Sequence, residues 1–169
     1  MLFRSGEGLG CAIVSDGRVR RGYAGLAGEI AHLITVGPRG QALPFIEVFS
    51  ELGLRRTGST AIDVDRLLTA ATSPEPRAAA TRHTLGQAVG GVLAAVVALT
   101  DPELIIIGGS WGSSPVILET ITAGTACLPR AVPVRGAELT GNPSLAGARI
   151  DALSRLRSDI IAAPRPNRH

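Results

Sequence analysis

Two glycine-rich segments have the composition of turns that admit a phosphate group. Residues 6–10 read GEGLG, and Gly108-Gly109 directly follows three isoleucines. Glycines let backbone N–H groups approach phosphate oxygens, and open α/β sheets bind ligands where a strand ends before a helix. On composition alone, residues 6–10 are better explained as a plain tight turn, whereas a plain turn and a ligand site explain Gly108-Gly109 equally well.

A second set of side chains could hydrogen-bond hydroxyl groups. Glu29, His32 and Glu47 lie in one loop-rich part of the chain. Carboxylates accept hydrogen bonds and an imidazole donates or accepts them, so such a set could hold the neighbouring hydroxyls of a sugar. Taken alone, however, the glutamates are typical of a solvated surface and the histidine of a structural residue.

Other common chemistry is excluded. All 17 basic residues are arginine, so the lysine of a Walker-type phosphate loop has no counterpart. No serine nucleophile motif or metal-ligand spacing is present. Cys11 and Cys127 have no CxxC partner, and we expect both to be buried free thiols.

Composition indicates one globular domain without a nucleic-acid surface. The chain has 169 residues, 45% of them hydrophobic and 18% charged, with a net charge of +3. Aromatic residues make up only 3% and the arginines are scattered, which disfavours base stacking. The pair Arg55-Arg56 is expected to be solvated surface. No signal peptide or long uninterrupted apolar run is visible, so we expect a cytoplasmic protein with no membrane partner.

Periodicity and turn residues predict a mixed α/β domain with one sheet and flanking helices. Asp16-Gly17 separates two short strands as a hairpin turn. An apolar stripe predicts a long helix over 76–99, whose glycines imply close approach of a neighbouring element. The other predicted elements are a strand at Leu2-Phe3, a strand at 33–36, helices over 45–52 and 64–71, a strand over 104–107, a helix over 114–123, a strand over 132–139 and a helix over 144–162.

Two longer segments together resemble the ROK family of repressors and sugar kinases. Residues 6–32, GEGLGCAIVSDGRVRRGYAGLAGEIAH, are similar to its glycine-rich phosphate turn, hairpin and GxxGEIGH sugar segment. Residues 99–109, LTDPELIIIGG, resemble its segment near adenosine. The resemblance covers about residues 1–160. It implies an actin-like ATPase (ribonuclease H-like) fold, in which residues 1–163 form the C-terminal lobe. The terminal residues 164–169, PRPNRH, are expected to be a disordered tail.

The resemblance assigns roles to the candidate residues. Glu29, His32 and Glu47 match sugar-binding positions of the family. The nucleotide would be bound at Gly6, Gly8, Gly10, Gly108 and Gly109.

Two departures from the family pattern argue against catalysis. The cysteines of its zinc motif align with Pro38, Gly40 and Phe45, so we expect no zinc and no other cofactor, with ATP bound only if the chain derives from a kinase. Glu7 stands where the family has threonine. A carboxylate there would repel a polyphosphate by about 1 kcal/mol at 4 Å in water, and by more near a protein surface.

The chain also contains no DxGxT-type phosphate segment and no Asn-Asp pair for a general base, and it looks cut off on its N-terminal side. We therefore expect the sugar-sensing lobe of a ROK transcriptional regulator. It would bind a monosaccharide or sugar phosphate, form a homodimer, and reach DNA only through an upstream domain. The alternatives are a fragment of a sugar kinase, or a decayed lobe kept for dimerisation.

Overall fold

A five-stranded mixed sheet organises the first 137 residues. From one edge of the sheet to the other, its strands are β3 (Arg18–Arg20), β2 (Leu9–Ser15), β1 (Leu2–Ser5), β6 (Ile105–Gly108) and β7 (Val134–Gly136). The computed structural model describes residues 1–139 and 142–162. Strands β1 to β3 pair antiparallel, whereas β1, β6 and β7 run parallel, so the predicted mixed α/β class is confirmed. The strands Ile34–Val36 and Ala42–Pro44 form a separate two-stranded sheet, so the prediction of one sheet is wrong. The strands are β1 (Leu2–Ser5), β2 (Leu9–Ser15), β3 (Arg18–Arg20), β4 (Ile34–Val36), β5 (Ala42–Pro44), β6 (Ile105–Gly108) and β7 (Val134–Gly136).

The β2–β3 hairpin and the helix ends follow from local sequence. Asp16 and Gly17 both adopt positive φ, 54° and 71°, which the tight turn between right-twisted strands requires. Asp63 caps the helix Val64–Thr72 by accepting a hydrogen bond from the Arg66 backbone N at 3.0 Å. Asp101 follows the helix Pro76–Thr100 and ends it with a left-handed backbone, at φ 40°. The helices are α1 (Phe45–Glu51), α2 (Val64–Thr72), α3 (Pro76–Thr100), α4 (Pro115–Gly124) and α5 (Pro143–Ala162).

Helix α3 runs through the core and packs closely on α4. Its predicted apolar stripe is buried. A Cβ atom on Gly90 would overlap the Gly124 carbonyl oxygen, and a Cβ atom on Gly86 would lie 3.0 Å from the Thr120 carbonyl oxygen. The predicted close approach of a neighbouring element is therefore confirmed. By length and composition α3 could also cross a membrane, but more than half of its apolar window is buried in the fold, as is typical of a soluble core helix.

Two expectations differ from the structure. Strand β7 covers only Val134–Gly136, because Pro133 has no N–H for a ladder and contributes its carbonyl oxygen alone, to Ile105 N at 2.9 Å. Cys127 is exposed at the end of a 3₁₀ helix after α4, so the prediction of a buried thiol is wrong there. Cys11 is partly buried, and that burial raises the pKa of its thiol to about 11.

The described residues 138–139 and 142–162 belong to a second compact unit. It contains α5, which confirms the helix predicted over 144–162. The Asn142 side chain accepts a hydrogen bond from Leu145 N at 3.2 Å and so caps its first turn. A single lobe over residues 1–163 stays a prediction, and the tail 164–169 lies outside the described residues.

Candidate functional site

His32 and Glu47 line one surface depression of about 520 Å³. Glu7 and Gly8 of the glycine-rich turn line the same depression, as does Arg55. The structure therefore brings two of the three predicted sugar-binding residues together with part of the predicted phosphate turn.

The 3₁₀ helix Ile30–His32 positions His32. Gly28, at φ 100°, precedes it, and a Cβ there would overlap the Cys11 carbonyl oxygen. Its own carbonyl accepts hydrogen bonds from Cys11 N and Ile30 N, both at 2.9 Å, which fixes this segment against β2. Glu29 lies at the start of the 3₁₀ helix, exposed to solvent and outside the lining of the depression.

Glu47 is held in place from outside its own helix. The Arg55 Nη2 atom donates to Glu47 Oε1 at 3.0 Å and to the Ile46 carbonyl at 2.9 Å. The Arg55 side chain is only 17% exposed, against 47% for Glu47. The expectation that Arg55 is ordinary solvated surface is therefore wrong.

Arg56, the next residue, pairs with the other carboxylate of the depression. Its Nη2 atom lies 2.6 Å from Glu7 Oε1, with both side chains about half exposed. Backbone bonds tie the same turn to Glu7, because Ile62 N donates to the Glu7 carbonyl at 2.8 Å. An exposed pair of this kind contributes about 0–1 kcal/mol. The repulsion expected between Glu7 and a phosphate is therefore partly offset by Arg56.

The two glycine-rich segments meet at one edge of the sheet, because β1 and β6 run parallel and end side by side. The Ser5 hydroxyl donates to the Gly108 carbonyl at 2.7 Å and accepts from Gly112 N at 2.8 Å. Buried Trp111 donates from Nε1 to the Gly6 carbonyl at 3.0 Å. The juxtaposition needed for a shared nucleotide site is present, although packing also explains part of it.

The glycines in these segments differ in what the fold asks of them. Gly109 adopts φ 104°, and a Cβ there would overlap the Ser5 backbone, so its packing alone requires glycine. A Cβ on Gly108 would lie 3.1 Å from that of Ala137, and one on Gly6 would make an ordinary 3.4 Å contact with Ser110. Gly8 and Gly10 have open space at the Cβ position and no left-handed backbone. No described neighbour therefore explains glycine at those two positions.

The segment aligned with the family's zinc motif does not fit a metal. Pro38 and Gly40 lie in the turn between β4 and β5, closed by the hydrogen bond from Gly40 N to the Gly37 carbonyl at 2.9 Å. Phe45 is fully buried and packs on Phe49, with ring centroids 5.5 Å apart. None of the three aligned residues offers a donor atom that zinc prefers. Within residues 1–139 and 142–162, no three His, Cys, Asp or Glu side chains are grouped as metal ligands.

Sequence patterns did not indicate the roles of Arg55 and Arg56. Glu7 is distant from Arg56 in the chain, whereas Glu47 lies eight residues before Arg55. Both pairings depend on the turn over residues 55–62 folding back, with Arg55 bridged to Ile62. The only local signal was the arginine pair itself, followed by the turn-forming residues Thr57, Gly58 and Ser59.

Two curated proteins similar to this chain are the bifunctional enzymes NanE/NanK of Brucella melitensis biotype 1 and Brucella suis biovar 1. Each is 28% identical over 117 residues, which is 68% of this chain. The match covers 23% of the first relative and 22% of the second, so the chain spans less than a quarter of their length.

Solved structures with the same fold include the ROK hexokinase from Thermus thermophilus, at TM-score 0.66 and 24% identity over 93% of this chain and 57% of that one. A Streptococcus pneumoniae TIGR4 ROK protein in complex with sucrose has a TM-score of 0.70 at 17% identity, and the match covers 93% of this chain and 58% of that protein. A Streptomyces griseus ROK glucokinase in complex with glucose and AMPPNP has a TM-score of 0.64 at 24% identity, and the match covers 87% of this chain and 58% of the glucokinase.

These likenesses identify the sheet and helices as part of an actin-like ATPase fold. The model of the ROK family matches residues 1–133, a span that includes all the residues proposed for the sugar and nucleotide sites. The chain belongs to the ROK family.

Proposed function

We propose that this chain is the monosaccharide-binding lobe of a ROK protein and does not phosphorylate sugar by itself. The observation that carries the proposal is the convergence of His32 and Glu47 on one depression beside Glu7 and Gly8. A carboxylate and an imidazole are suited to hydroxyl groups. Similar proteins described in complex with glucose and with sucrose support a sugar as the ligand class.

The charges of the depression favour a neutral sugar over a sugar phosphate. Glu47 is paired with Arg55 and Glu7 with Arg56, so the four charges cancel in pairs. A phosphorylated sugar would bring further negative charge beside Glu7 and Glu47 and would have to compete with them for these arginines. A neutral monosaccharide needs only hydrogen bonds to groups that are already in place.

Within a larger protein, we propose that sugar binding to this lobe serves regulation. Glu7 in place of threonine and the missing zinc ligands are departures that suit a lobe released from catalysis. DNA would then be bound by a different part of the protein.

A second candidate is one wall of a sugar kinase. The ion pair between Arg56 and Glu7 favours it, because it lessens the repulsion between the turn and a nucleotide. The names of the curated relatives and of two similar structures point the same way. In that case this lobe would supply sugar contacts and the partner lobe the general base.

Sugar affinity tests the shared core of both candidates. We expect wild-type chain to bind glucose, N-acetylglucosamine or N-acetylmannosamine with a Kd of about 1 mM, which corresponds to about 4 kcal/mol. Glu47→Gln should weaken binding about tenfold, because a charged acceptor is lost. Glu51→Gln, on the same helix but paired with Arg39 outside the depression, is the matched control and should bind like wild type. Equal affinities for all three proteins would contradict the proposed site.

Turnover tests the non-catalytic part of the proposal. A coupled assay of ADP release with the same sugars should show no sugar-dependent activity from this chain, because general-base catalysis typically contributes about 10²–10⁴-fold. Sugar-dependent ADP release above background would favour the kinase candidate and exclude a lobe that is inactive alone.

A further inference from the structure

Arg55 contacts two acceptors that lie next to each other on α1. One Nη2 atom donates both to the Ile46 carbonyl, at 2.9 Å, and to the Glu47 carboxylate, at 3.0 Å. The guanidinium thus binds the backbone and the side chain of the same helical turn. A carboxylate held this way has fewer available rotamers than one in open solvent.

The burial of Arg55 makes this pair different from the other ion pairs of the fold. Arg39 and Glu51, paired at 2.7 Å, are 75% and 39% exposed, whereas Arg55 is 17% exposed. Exposed pairs hold their partners loosely, because water and salt compete for both charges. The buried Arg55 guanidinium is therefore a better fixed partner for its carboxylate than Arg39 is, although Glu47 itself is 47% exposed, against 39% for Glu51.

The Arg55 guanidinium has one donor that no described residue uses. Its Nε atom is buried without a hydrogen-bond partner in the described structure. A buried donor left unpaired is unfavourable, and each such group in a native protein calls for an explanation.

Arg55 also connects Glu47 to the glycine-rich turn. It belongs to the turn over residues 55–62, where Arg56 N donates to the Ala61 carbonyl at 3.0 Å and Ile62 N donates to the Glu7 carbonyl at 2.8 Å. The same turn therefore contacts both ends of the depression, Glu47 through Arg55 and Glu7 through Ile62 and Arg56. The distance between the two ends depends on this turn.

We propose that Arg55 is the positioning residue for sugar recognition: it fixes the Glu47 carboxylate at the depression and acts on the sugar through Glu47. This inference rests on the proposed function. Arg55 itself lines the depression; if it acts through Glu47 and not by its own contact with the ligand, its whole effect on affinity should require the Glu47 carboxylate.

A double-mutant cycle on the full chain tests this dependence. The Kd for the sugar that binds wild type best is measured by NMR titration for wild type, Arg55→Met, Glu47→Gln and the double variant. Arg55→Met alone should weaken binding about tenfold, and the double variant should bind no more weakly than Glu47→Gln alone. Arg39→Met is the matched control. It removes the arginine partner of Glu51, which lies on the same helix as Glu47 but outside the depression, so it should leave the Kd unchanged.

Folding is checked independently of binding. Each variant should keep a dispersed amide spectrum, and Arg55→Lys serves if Arg55→Met does not fold. Lysine keeps the charge but not the forked guanidinium, so it should weaken binding by a smaller factor and still show no added effect with Glu47→Gln.

The outcomes are distinguishable. If wild type binds sugar and the arginine variants bind equally well, or weaken Glu47→Gln further by the same factor, the positioning role is overturned and the proposed function stands. If wild type binds none of the sugars, the proposed function and this inference are overturned together.

Discussion

Gly8 and Gly109 are both candidates for nucleotide contact, yet their surroundings differ. Gly109 has left-handed backbone and lies against the Ser5 backbone, whereas Gly8 faces open space at the lining of the depression. A methyl group at one position meets protein, and at the other it meets only whatever binds there. Substitution with alanine therefore separates packing from ligand contact.

We expect Gly109→Ala to destabilise the fold by about 1–3 kcal/mol or more, because the added Cβ collides with backbone at a strained φ. Gly8→Ala should change stability by less than about 0.5 kcal/mol, as open surface substitutions do. Urea unfolding measures both. A Gly8→Ala variant that is as unstable as Gly109→Ala would show that the turn, and not a ligand, requires that glycine.

The two thiols should differ in reactivity. Burial raises the pKa of the Cys11 thiol to about 11, so at pH 8 only about one molecule in a thousand carries its thiolate. Cys127 is exposed. Mass spectrometry after iodoacetamide treatment of the folded chain at pH 8 should find Cys127 alkylated and Cys11 unmodified.

The raised Cys11 pKa also predicts how stability depends on pH. An unfolded thiol ionises near 9.0 and the folded one near 11, so the unfolded chain binds fewer protons in that interval. The free energy of unfolding is therefore unaffected by this thiol below pH 9, and it decreases as the pH rises from 9 to 11. Cys11→Ser should reduce this loss in urea titrations. Equal alkylation of both thiols at pH 8 would contradict the burial of Cys11.

Residue-level prediction from sequence depended on a motif. The family resemblance pointed to Glu29, His32 and Glu47, and the structure brings His32 and Glu47, but not Glu29, to one depression. Arg55 was missed, because its role depends on a turn that returns the chain to α1. Ser5 was missed as well, since a serine at the end of a strand carries no local sign that it will bridge two loops.

At the scale of elements, α3 and α4 pack through glycines. Gly86 and Gly90 lie against the Thr120 and Gly124 backbone, which explains why a core helix tolerates residues of low helix propensity. Part of the glycine-rich face of α3 is thus covered within the chain, whereas Gly86 and Gly91 also line an open depression between α3 and α4. A lobe kept for dimerisation and homodimer formation both stay predictions.

Gly90→Ala should destabilise the fold by about 1–3 kcal/mol, because overpacking against α4 outweighs the better helix propensity of alanine. Gly147→Ala is the matched control, since a Cβ there meets nothing within 4 Å in helix α5. It should be neutral or slightly stabilising in the same thermal unfolding measurement. Equal effects of the two substitutions would contradict the close α3–α4 contact.

The loop that carries the zinc motif in relatives is ordered here by aromatic packing. Phe3, Phe45, Phe49 and Trp111 form a closed cluster with ring centroids 5.5–6.4 Å apart. Such contacts contribute beyond the buried area of each ring. Phe45 therefore serves as a packing anchor at the position of a metal ligand.

We expect a chelator to leave the melting temperature unchanged, and metal analysis of protein purified without chelator to find no stoichiometric zinc. Phe45→Ala should instead destabilise the fold by about 3–5 kcal/mol, as is typical for a buried phenylalanine. About one zinc per chain, or a melting temperature that falls on chelation, would show that this loop was misaligned with the family motif.

Helices and the hairpin were predictable because their ends carry local signals. Asp16-Gly17, Asp63 and Pro76 each indicated a boundary that the structure confirms. The order of strands was not predictable in this way. The parallel pairing of β1 with β6 joins residues about a hundred positions apart, and only the resemblance to a known fold implied it.

At the scale of the whole molecule, the chain spans 57–58% of the similar ROK structures from Thermus, Streptomyces and Streptococcus. A lobe of this fold presents its depression as an open surface. Small-molecule sites usually bury most of the ligand, so an open depression of about 520 Å³ should bind sugar weakly. Weak but localised binding is what distinguishes a sugar-binding lobe from one that has lost its ligand.

The most direct test of this account is a glucose titration followed by amide NMR spectra of the isotope-labelled wild-type chain. We expect chemical-shift changes that saturate, with half of the change reached at about 1 mM glucose. They should be concentrated at residues 7–9, 31–32, 46–47 and 60–61, the segments whose residues line the depression. Shifts that do not saturate, or that cluster on the α3–α4 face instead, would contradict the assignment of this depression as the sugar site.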